Sequence, residues 1–378
     1  MTRHRIEIHL EGPRDALRVR VGECPAHDTV RLGIDLAARA LDPREIEWLY
    51  ATGADMDHAK RSKGLACPAL GLRIAQALLS ADGVARLDRA VRDAASAGRA
   101  IKLVFAYAAT QPWLHELPLE IVALPEAGML AIHPAVHMSR RLTDVTARPL
   151  RGRAGQAAHR PTLLFSTAEP ASANCRPLSS GPEQRSLQDS LAIHDAHAAV
   201  ETQFCFNATD FSLRQKFQLA AIRGAPIDAW HHVGHGRVDA ASGEQSLLLH
   251  CPDDGHAYVP LARVRDAFAA KTQLRLAILN VCHTARAGGI AAAVAGAGVP
   301  AVIGHRRAIL DQSALRFADA FWAALRARPV DAALAAARHA IRGDGDNWSL
   351  PVLFLNDEDG FFFGPSARAG HCESEPQP

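Results

Sequence analysis

The chain has 378 residues, 48% of them hydrophobic and 22% charged, which is enough apolar sequence for two ordinary domains with buried cores. Its 42 Lys and Arg residues nearly balance 40 Asp and Glu residues, so the charge offers no general attraction for nucleic acid or an anionic membrane. No stretch is long and apolar enough for a membrane span, and the start alternates polar with apolar residues instead of forming a signal-peptide core. We therefore expect a cytoplasmic protein.

Residues 1–143 predict a small α+β region. Polar and apolar residues alternate at 5–10 and 17–21, on either side of the turn residues Gly12 to Asp15, and this pattern is typical of a β-hairpin. Apolar residues recur at helical spacing over 70–97, and a strand-like run follows at 101–106. A short helix and two strands are then predicted from LPLEIVAL (117–124), MLAIHP (129–134) and VHMSRRL (136–142).

Residues 144–160 are rich in Arg, Gly and Ala and have no apolar period, so they predict a linker. The segment is basic, but a solvated connector explains that charge better than a nucleic-acid-binding arm.

Strand and helix patterns alternate beyond the linker, which is typical of an α/β layered domain over 161–364. Continuous apolar strands such as LRLAILNV (274–281) indicate a parallel sheet covered on both faces. The polar residues 365–378 predict a disordered tail. The predicted strands are 162–167, 200–206, 227–233, 274–281, 300–304 and 350–355, and the predicted helices are 182–194, 211–222, 261–270, 288–297, 311–327 and 330–341.

Two predicted strands end in residues that carry chemistry. Strand 227–233 runs into Gly234, His235 and Gly236, and strand 274–281 runs into Cys282. Ligands and catalytic groups gather at the carboxyl ends of strands in an open α/β sheet. The separation leaves room for a crossover and the next strand, so adjacent parallel strands would bring the imidazole and the thiol to one edge.

A cysteine nucleophile needs a base or cationic neighbour, and His235 would supply one to Cys282. Gly236 has no side chain, so a substrate backbone can approach it, and its N–H would form an oxyanion hole with that of Cys282. Taken singly, a free cysteine at a strand end is more often a core residue, and a histidine near glycines is more often a loop residue. The spaced pair favours the catalytic interpretation. A nucleotide-binding protein is weakly supported, because the sequence has no phosphate-binding glycine motif.

Several segments together resemble the CHAT peptidases, relatives of caspases and separases. They are WHHVGHG (230–236), LAILNVCHTA (276–285), residues 298–325, the closing pattern over 329–355 and an upstream Leu-Pro-x-Glu motif at 117–120, within a span of about 114–362. The resemblance implies a caspase-like α/β fold, in which a mostly parallel sheet is flanked by helices on both faces and preceded by the smaller α+β region.

The resemblance also implies residue roles. Cys282 is the expected nucleophile that forms an acyl-enzyme, and His235 the expected general acid/base that protonates the leaving amine. His231 is expected inside its strand, where it supports the site. Asp239 and Asn280 are near the site and would either orient His235 or serve as loop and strand-end residues.

The resemblance leaves the substrate pocket open. Asp311 would either face the pocket for the side chain before the scissile bond, favouring a basic residue there, or serve as a helix N-cap. An arginine lining the pocket, Arg306 or Arg307, would instead favour an acidic residue.

Metals and cofactors are not expected. The seven cysteines include no CxxC pair and their number is odd, so reduced thiols are expected. The histidines of WHHVGHG (230–236) lie close together, but their spacing suits zinc on a helix and this segment has the pattern of a strand and loop.

The resemblance therefore implies an endopeptidase that cuts a specific protein partner, in bacterial defence or regulated cell death, after activation by a sensor protein. The alternative is a catalytically silent interaction module with the same fold. For residues 1–143, a pseudo-peptidase half that braces the sheet and a separate recognition domain both remain open.

Overall fold

The structure is a computed structural model, and it describes most of the chain. The described residues are 3–24, 36–58, 66–150, 160–169, 178–192, 200–239, 245–251, 257–260, 262–264, 273–286, 288–358 and 360–363. Parts of the predicted linker (151–159) and of helix 261–270, and all of the predicted tail (365–378), lie outside these ranges.

The N-terminal part forms strands and helices close to those predicted. Its main elements are β1 (Arg3–Glu11), β2 (Arg18–Cys24), β3 (Leu36–Ala40), α1 (Pro43–His58), α2 (Pro68–Leu78), α3 (Ala81–Ser96), β4 (Ala100–Tyr107), β5 (Ala123–Leu124), β6 (Gly128–Met129) and β7 (Val136–Leu142). The antiparallel pairing of β1 with β2 confirms the predicted hairpin.

Two local predictions in this part need correction. The helical pattern over 70–97 is broken into α2 and α3, because Ser80 caps α3 by accepting a hydrogen bond from the Gly83 N–H at 3.1 Å. The segment 129–134 is not a strand: it forms a short 3₁₀-helix, Leu130–Ile132, after the two-residue strand β6. Its apolar side chains are buried without a long partner strand, and a short apolar run does not distinguish these two cases.

The C-terminal part follows the predicted alternation. Its elements are β8 (Thr162–Thr167), α4 (Ser180–Ala192), β9 (Glu201–Cys205), α5 (Asp210–Ile222), β10 (Ala229–Val233), β11 (His235–Val238), β12 (Gln245–Leu249), β13 (Ala257–Pro260), β14 (Leu276–Asn280), α6 (Ile290–Gly296), β15 (Ala301–His305), α7 (Asp311–Leu325), α8 (Val330–Ala340) and β16 (Pro351–Leu355). The six predicted strands are confirmed. The small antiparallel sheet β11–β12–β13 was not predicted from the sequence.

One sheet of 11 strands organises the molecule, in the order β3-β2-β1-β4-β7-β16-β15-β14-β10-β8-β9. The strands from β15 to β9 are all parallel to one another, whereas β16 pairs antiparallel with β15. The strands β7, β4 and β1 are parallel to β16, so they run in the direction opposite to β15. On the α4 and α7 face, His231 of β10 meets Trp322; on the other face, Trp230 meets Phe217 of α5. Helices thus cover both faces, and the predicted caspase-like α/β architecture is confirmed.

The two predicted parts of the chain share this sheet, because β7 pairs with β16 in parallel at Arg140 and Phe354. Beneath this junction Arg140 is buried and forms an ion pair with the buried Glu120. The described end of the predicted linker lies against the sheet, where the Leu150 N–H donates to Asp357 at 2.9 Å. The division into regions 1–143 and 161–364 stays a prediction.

None of the helices within the described ranges has the length and apolar character that crossing a bilayer requires.

Candidate active site

The register of the parallel strands brings His235 and Cys282 to the same edge of the sheet. Val233 of β10 is paired with Asn280 of β14. His235 and Cys282 each follow two residues later, so they leave the sheet at the same level. Both are partly exposed, as a site that must admit a substrate requires.

Gly236 lies directly against the backbone of Cys282. A β-carbon placed on Gly236 would be 2.5 Å from the Cys282 carbonyl oxygen and 2.9 Å from a methyl group of Val281. Real β-carbons do not approach other atoms this closely, so only glycine fits between the two strand ends. This contact holds the His235 strand end against the Cys282 strand end.

Gln245 joins the Cys282 strand end to the start of α6, and this role was not predicted from the sequence. Its side-chain N–H donates to the Cys282 carbonyl at 3.1 Å, and its side-chain oxygen accepts from the Ile290 N–H, at the start of α6, at 2.9 Å. Gln245 is buried at the start of β12, which pairs with the strand that begins at His235. No sequence motif marks this glutamine, because its role depends on how the β11–β12 hairpin folds back.

The Cys282 sulfur is held as a thiol. Burial raises the pKa of Cys282, and hydrogen bonds from the backbone N–H groups of Ile309 and of Cys282 itself only partly oppose this rise. The sulfur therefore needs a base to remove its proton before it can attack a carbonyl.

The turn that follows Cys282 is tied to β15. His283 has a φ of 65°, so the chain reverses sharply just after the cysteine. Thr284 then donates to the Val281 carbonyl at 3.1 Å and accepts from the His305 N–H at 3.0 Å. These bonds hold the turn that follows Cys282 against the neighbouring strand, β15.

A buried polar network lies beneath this edge and engages two of the predicted supporting residues. The Glu183 carboxylate accepts from His231 at 2.7 Å and from the Asn280 amide at 2.7 Å. Trp322 donates to the other ring nitrogen of His231 at 3.0 Å, which places the ring proton on the nitrogen that faces Glu183. The Asn280 oxygen lies 3.0 Å from a ring nitrogen of His305. Asn280 therefore braces the end of β14 from below, instead of orienting His235.

Neighbouring histidines in the HHVGH segment point in different directions. His231 meets Glu183 on one face of the sheet, whereas His232 meets Ser166 at 2.9 Å on the other. Within the described part of the chain, no group of three His, Cys, Asp or Glu residues is arranged to hold a metal ion.

Asp239 is exposed just after β11, four residues beyond His235. An extended strand of that length spans about 13 Å, so Asp239 and His235 lie at opposite ends of β11.

Asp311 is not the N-cap of α7. Leu310 occupies that position, and Asp311 is the first helical residue. Its carboxylate accepts hydrogen bonds from the backbone N–H of Ser179, at 3.1 and 3.2 Å, and from the Ser179 hydroxyl, just before α4. Only Leu310 separates Asp311 from Ile309, which lies beside the Cys282 sulfur.

Glu169 adds a second carboxylate that sequence analysis missed. Thr167 of β8 is paired with Val233, so Glu169 leaves the sheet at the level of His235. One of its oxygens is buried and has no hydrogen-bond partner among the described residues. Burial, and then the nearby charge of Asp311, raise the pKa of Glu169. The sequence shows that Glu169 follows a predicted strand, but it does not show that this strand, β8, lies beside β10.

Arg306 does not line a substrate pocket. It is buried and donates to the backbone carbonyls of Leu117 at 2.6 Å and Glu116 at 2.7 Å. Arg307 is also buried. The idea that Arg306 selects an acidic substrate residue is therefore wrong.

The parallel sheet, its two faces of helices and the paired strand ends define a caspase-like α/β protein with a candidate cysteine and histidine site. A family model of the CHAT domain matches residues 70–362, most of the chain. The chain therefore belongs to the CHAT domain family, as its motifs predict.

Several solved structures are distantly similar to this chain. A chain of the separase–securin complex of Saccharomyces cerevisiae has 12% identity and a TM-score of 0.41, over 85% of this chain and 20% of that one. The Drosophila initiator caspase Dronc has 13% identity and a TM-score of 0.37, over 56% and 86%. The complex of Porphyromonas gingivalis RgpB pro- and mature domains gives 10% and 0.44, over 85% and 78%.

The chain thus spans about a fifth of the length of the separase-complex chain. No match is found among curated proteins.

Proposed function

We propose that this protein is a cysteine endopeptidase that cleaves a specific protein partner, with Cys282 as nucleophile and His235 as general acid/base. The observation that carries the proposal is the contact between Gly236 and the Cys282 carbonyl. It occurs where the strand register brings His235 and Cys282 to the same edge of the sheet. A histidine and a cysteine on unrelated surfaces would not need this close approach.

The proposed reaction begins with the neutral thiol. His235 takes the proton of Cys282, and the sulfur attacks the carbonyl carbon of the substrate peptide bond. The N–H groups of Gly236 and Cys282 are the proposed donors to the resulting oxyanion. The protonated imidazole then gives its proton to the leaving amine, and water hydrolyses the thioester to release the acid and restore the thiol.

Specificity for a basic side chain before the scissile bond is supported by Asp311 and Glu169. Asp311 lies near enough to Glu169 for its charge to raise the Glu169 pKa, and Glu169 has a buried oxygen that no described residue satisfies. An Arg or Lys side chain would satisfy that oxygen and would relieve the repulsion between the two carboxylates.

A protein partner that activates the enzyme is part of the proposal, as is a role in bacterial defence or regulated cell death. The raised pKa of Cys282 supports a resting state whose thiol is not yet reactive. The same observation favours the second candidate, a catalytically silent module that binds partners through the caspase-like fold.

A peptide-library cleavage assay separates the two candidates. When the activating partner protein is present, we expect turnover by the unmodified chain and its loss in Cys282→Ala and His235→Ala variants that retain the far-ultraviolet spectrum and unfolding midpoint. A peptide-based electrophile should label Cys282 in the unmodified chain and label it more slowly in His235→Ala. Cleavage that survives in Cys282→Ala would exclude the nucleophile. If neither cleavage nor labelling occurs with any added partner protein, the silent module is favoured.

A further inference from the structure

The segment between β15 and α7, residues 306–310, is fixed at both ends and contacts the nucleophile between them. At its start, the Arg306 N–H donates to the Leu350 carbonyl at 3.0 Å. At its end, the Leu310 N–H donates to the Asn347 side chain at 3.4 Å. Ile309 lies between these anchors, beside the Cys282 sulfur. His305, the residue before the segment, donates its N–H to Thr284 at 3.0 Å and accepts from the Ala285 N–H at 3.1 Å, so the segment starts at the turn that follows Cys282.

The Arg306 side chain joins this segment to the N-terminal part of the chain. Its guanidinium donates to the carbonyls of Glu116 and Leu117, where the Leu-Pro-x-Glu motif begins. The glutamate of that motif, Glu120, is buried 3.7 Å from Arg306 and is paired with Arg140 of β7. The Leu-Pro-x-Glu motif thus lies around the side chain of Arg306, which belongs to segment 306–310.

Arginine suits this link better than lysine. Its planar guanidinium presents several N–H donors in fixed directions, so one side chain can bond two successive carbonyls from outside their own segment. A lysine carries the same charge on a flexible stem, so it would hold the segment less rigidly.

We propose that Arg306 is a positioning residue that ties the segment contacting Cys282 to the N-terminal part of the chain, so that the placement of residues 116–117 sets the reactivity of the thiol. The consequence for cleavage rests on the proposed peptidase function, whereas the consequence for thiol reactivity does not. A partner that shifts the N-terminal part would reach the site through this link.

Arg275 provides a matched control at the far end of β14. It is also buried and also bonds carbonyls, those of Leu150 at 2.6 Å and Phe362 at 3.2 Å, besides pairing with Asp228. Its substitution removes a comparable buried link at the edge of the sheet that lies opposite Cys282. Cys205, a buried free cysteine on β9, reports any global opening.

The test measures iodoacetamide modification of Cys282 and Cys205, peptide by peptide, in the unmodified chain, Arg306→Lys and Arg275→Lys. In Arg306→Lys we expect the released segment to expose the sulfur to water, and the relief of burial, which has the largest influence on the Cys282 pKa, to outweigh the loss of the opposing Ile309 N–H. Because a fall of one unit in a thiol pKa raises the thiolate fraction tenfold, modification of Cys282 relative to Cys205 should rise by up to about tenfold. In Arg275→Lys the ratio should stay unchanged.

An unchanged ratio in Arg306→Lys, or the same change in both variants, overturns the proposal. Should the lysine variants fail to fold, Arg306→Gln and Arg275→Gln replace them. Hydrogen exchange on the unmodified chain needs no variant at all: the amides of Ile309 and Leu117 should open in one step, and independent opening contradicts the link.

Cleavage supplies a separate result. If the chain is a peptidase, kcat/KM should fall by about tenfold or more in Arg306→Lys even though the thiol reacts faster, because the sulfur is no longer held in position. A chain that cleaves nothing with or without added partner protein, but shows the ratio change only in Arg306→Lys, retains the positioning role and favours the silent module over the peptidase.

Discussion

The carbonyl oxygen of Cys282 lies 2.5 Å from the point that a β-carbon on Gly236 would occupy. The two residues come from different strand ends, and the absence of one side chain allows their backbones to meet. This contact is a sensitive point at which to test the candidate site.

Gly236→Ala should displace the Cys282 turn. The added methyl group cannot fit without movement of the backbone, so we expect a loss of about 1–3 kcal/mol in the free energy of unfolding and a fall in Cys282 labelling by a peptide-based electrophile. Urea unfolding and labelling rates measure the two effects. Gly296→Ala in α6 is the control, because its new methyl group would meet no atom within 4 Å. Equal behaviour of the two variants would contradict the tight contact.

Glu183→Ala should destabilise the fold strongly. The substitution leaves the buried donors of His231 and Asn280 without their carboxylate, and each unsatisfied donor costs about 1–3 kcal/mol. Urea unfolding measures the loss, and Gln188→Ala on the exposed side of the same helix should change stability by less than about 0.5 kcal/mol. Glu183→Gln keeps an oxygen in place and should recover part of the loss. No difference between Glu183→Ala and Gln188→Ala would show that the network contributes nothing to stability.

Stability should fall in mild acid because of three buried neutral histidines. Burial lowers the pKa of His115, His232 and His305 to about 3. Unfolding returns each to a pKa of about 6.5, so between these values the unfolded chain binds protons that the folded chain does not. The free energy of unfolding is therefore fully present above about pH 6.5 and falls as the pH is lowered, by up to about 1.4 kcal/mol per pH unit for each histidine.

Urea titrations across this pH window measure the slope. His232→Asn removes one of the three groups and should make the slope shallower. An unchanged slope in that variant would mean that His232 takes up a proton while the protein remains folded.

Replacing the site carboxylates should change substrate preference more than stability. In Glu169→Gln and Asp311→Asn, we expect kcat/KM for peptides with Arg or Lys before the scissile bond to fall about tenfold relative to neutral peptides, because one favourable charge contact is removed. Asp311 also bonds Ser179, so its substitution could disturb the structure. Such a disturbance alone would lower kcat/KM for basic and neutral peptides together, whereas loss of a charge contact lowers only the value for basic peptides. Asp319→Asn, on the exposed side of the same helix, is the control. An unchanged ratio would place the specificity pocket elsewhere.

His235 and Cys282 stood out in the sequence because each follows a predicted strand, and parallel strands present their ends at one edge. Sequence analysis also found the Leu-Pro-x-Glu motif, but it did not predict that Arg306 bonds the carbonyls of this motif. It considered Asp311 for two roles and could not anticipate Ser179, which lies 132 residues away in the chain.

The sequence by itself determined the periodic features: which segments are strands or helices, and which reactive residues stand at strand ends. These features depend on residues that are close together in the chain, so the spacing of apolar and polar residues reveals them. The tertiary structure alone decided which strand ends are adjacent, that β7 and β16 join the two parts in one sheet, that Gln245 bonds the Cys282 carbonyl and that Arg306 bonds the Leu117 carbonyl. Such contacts depend on the order of strands and on the path of short loops, for which local periodicity carries no information.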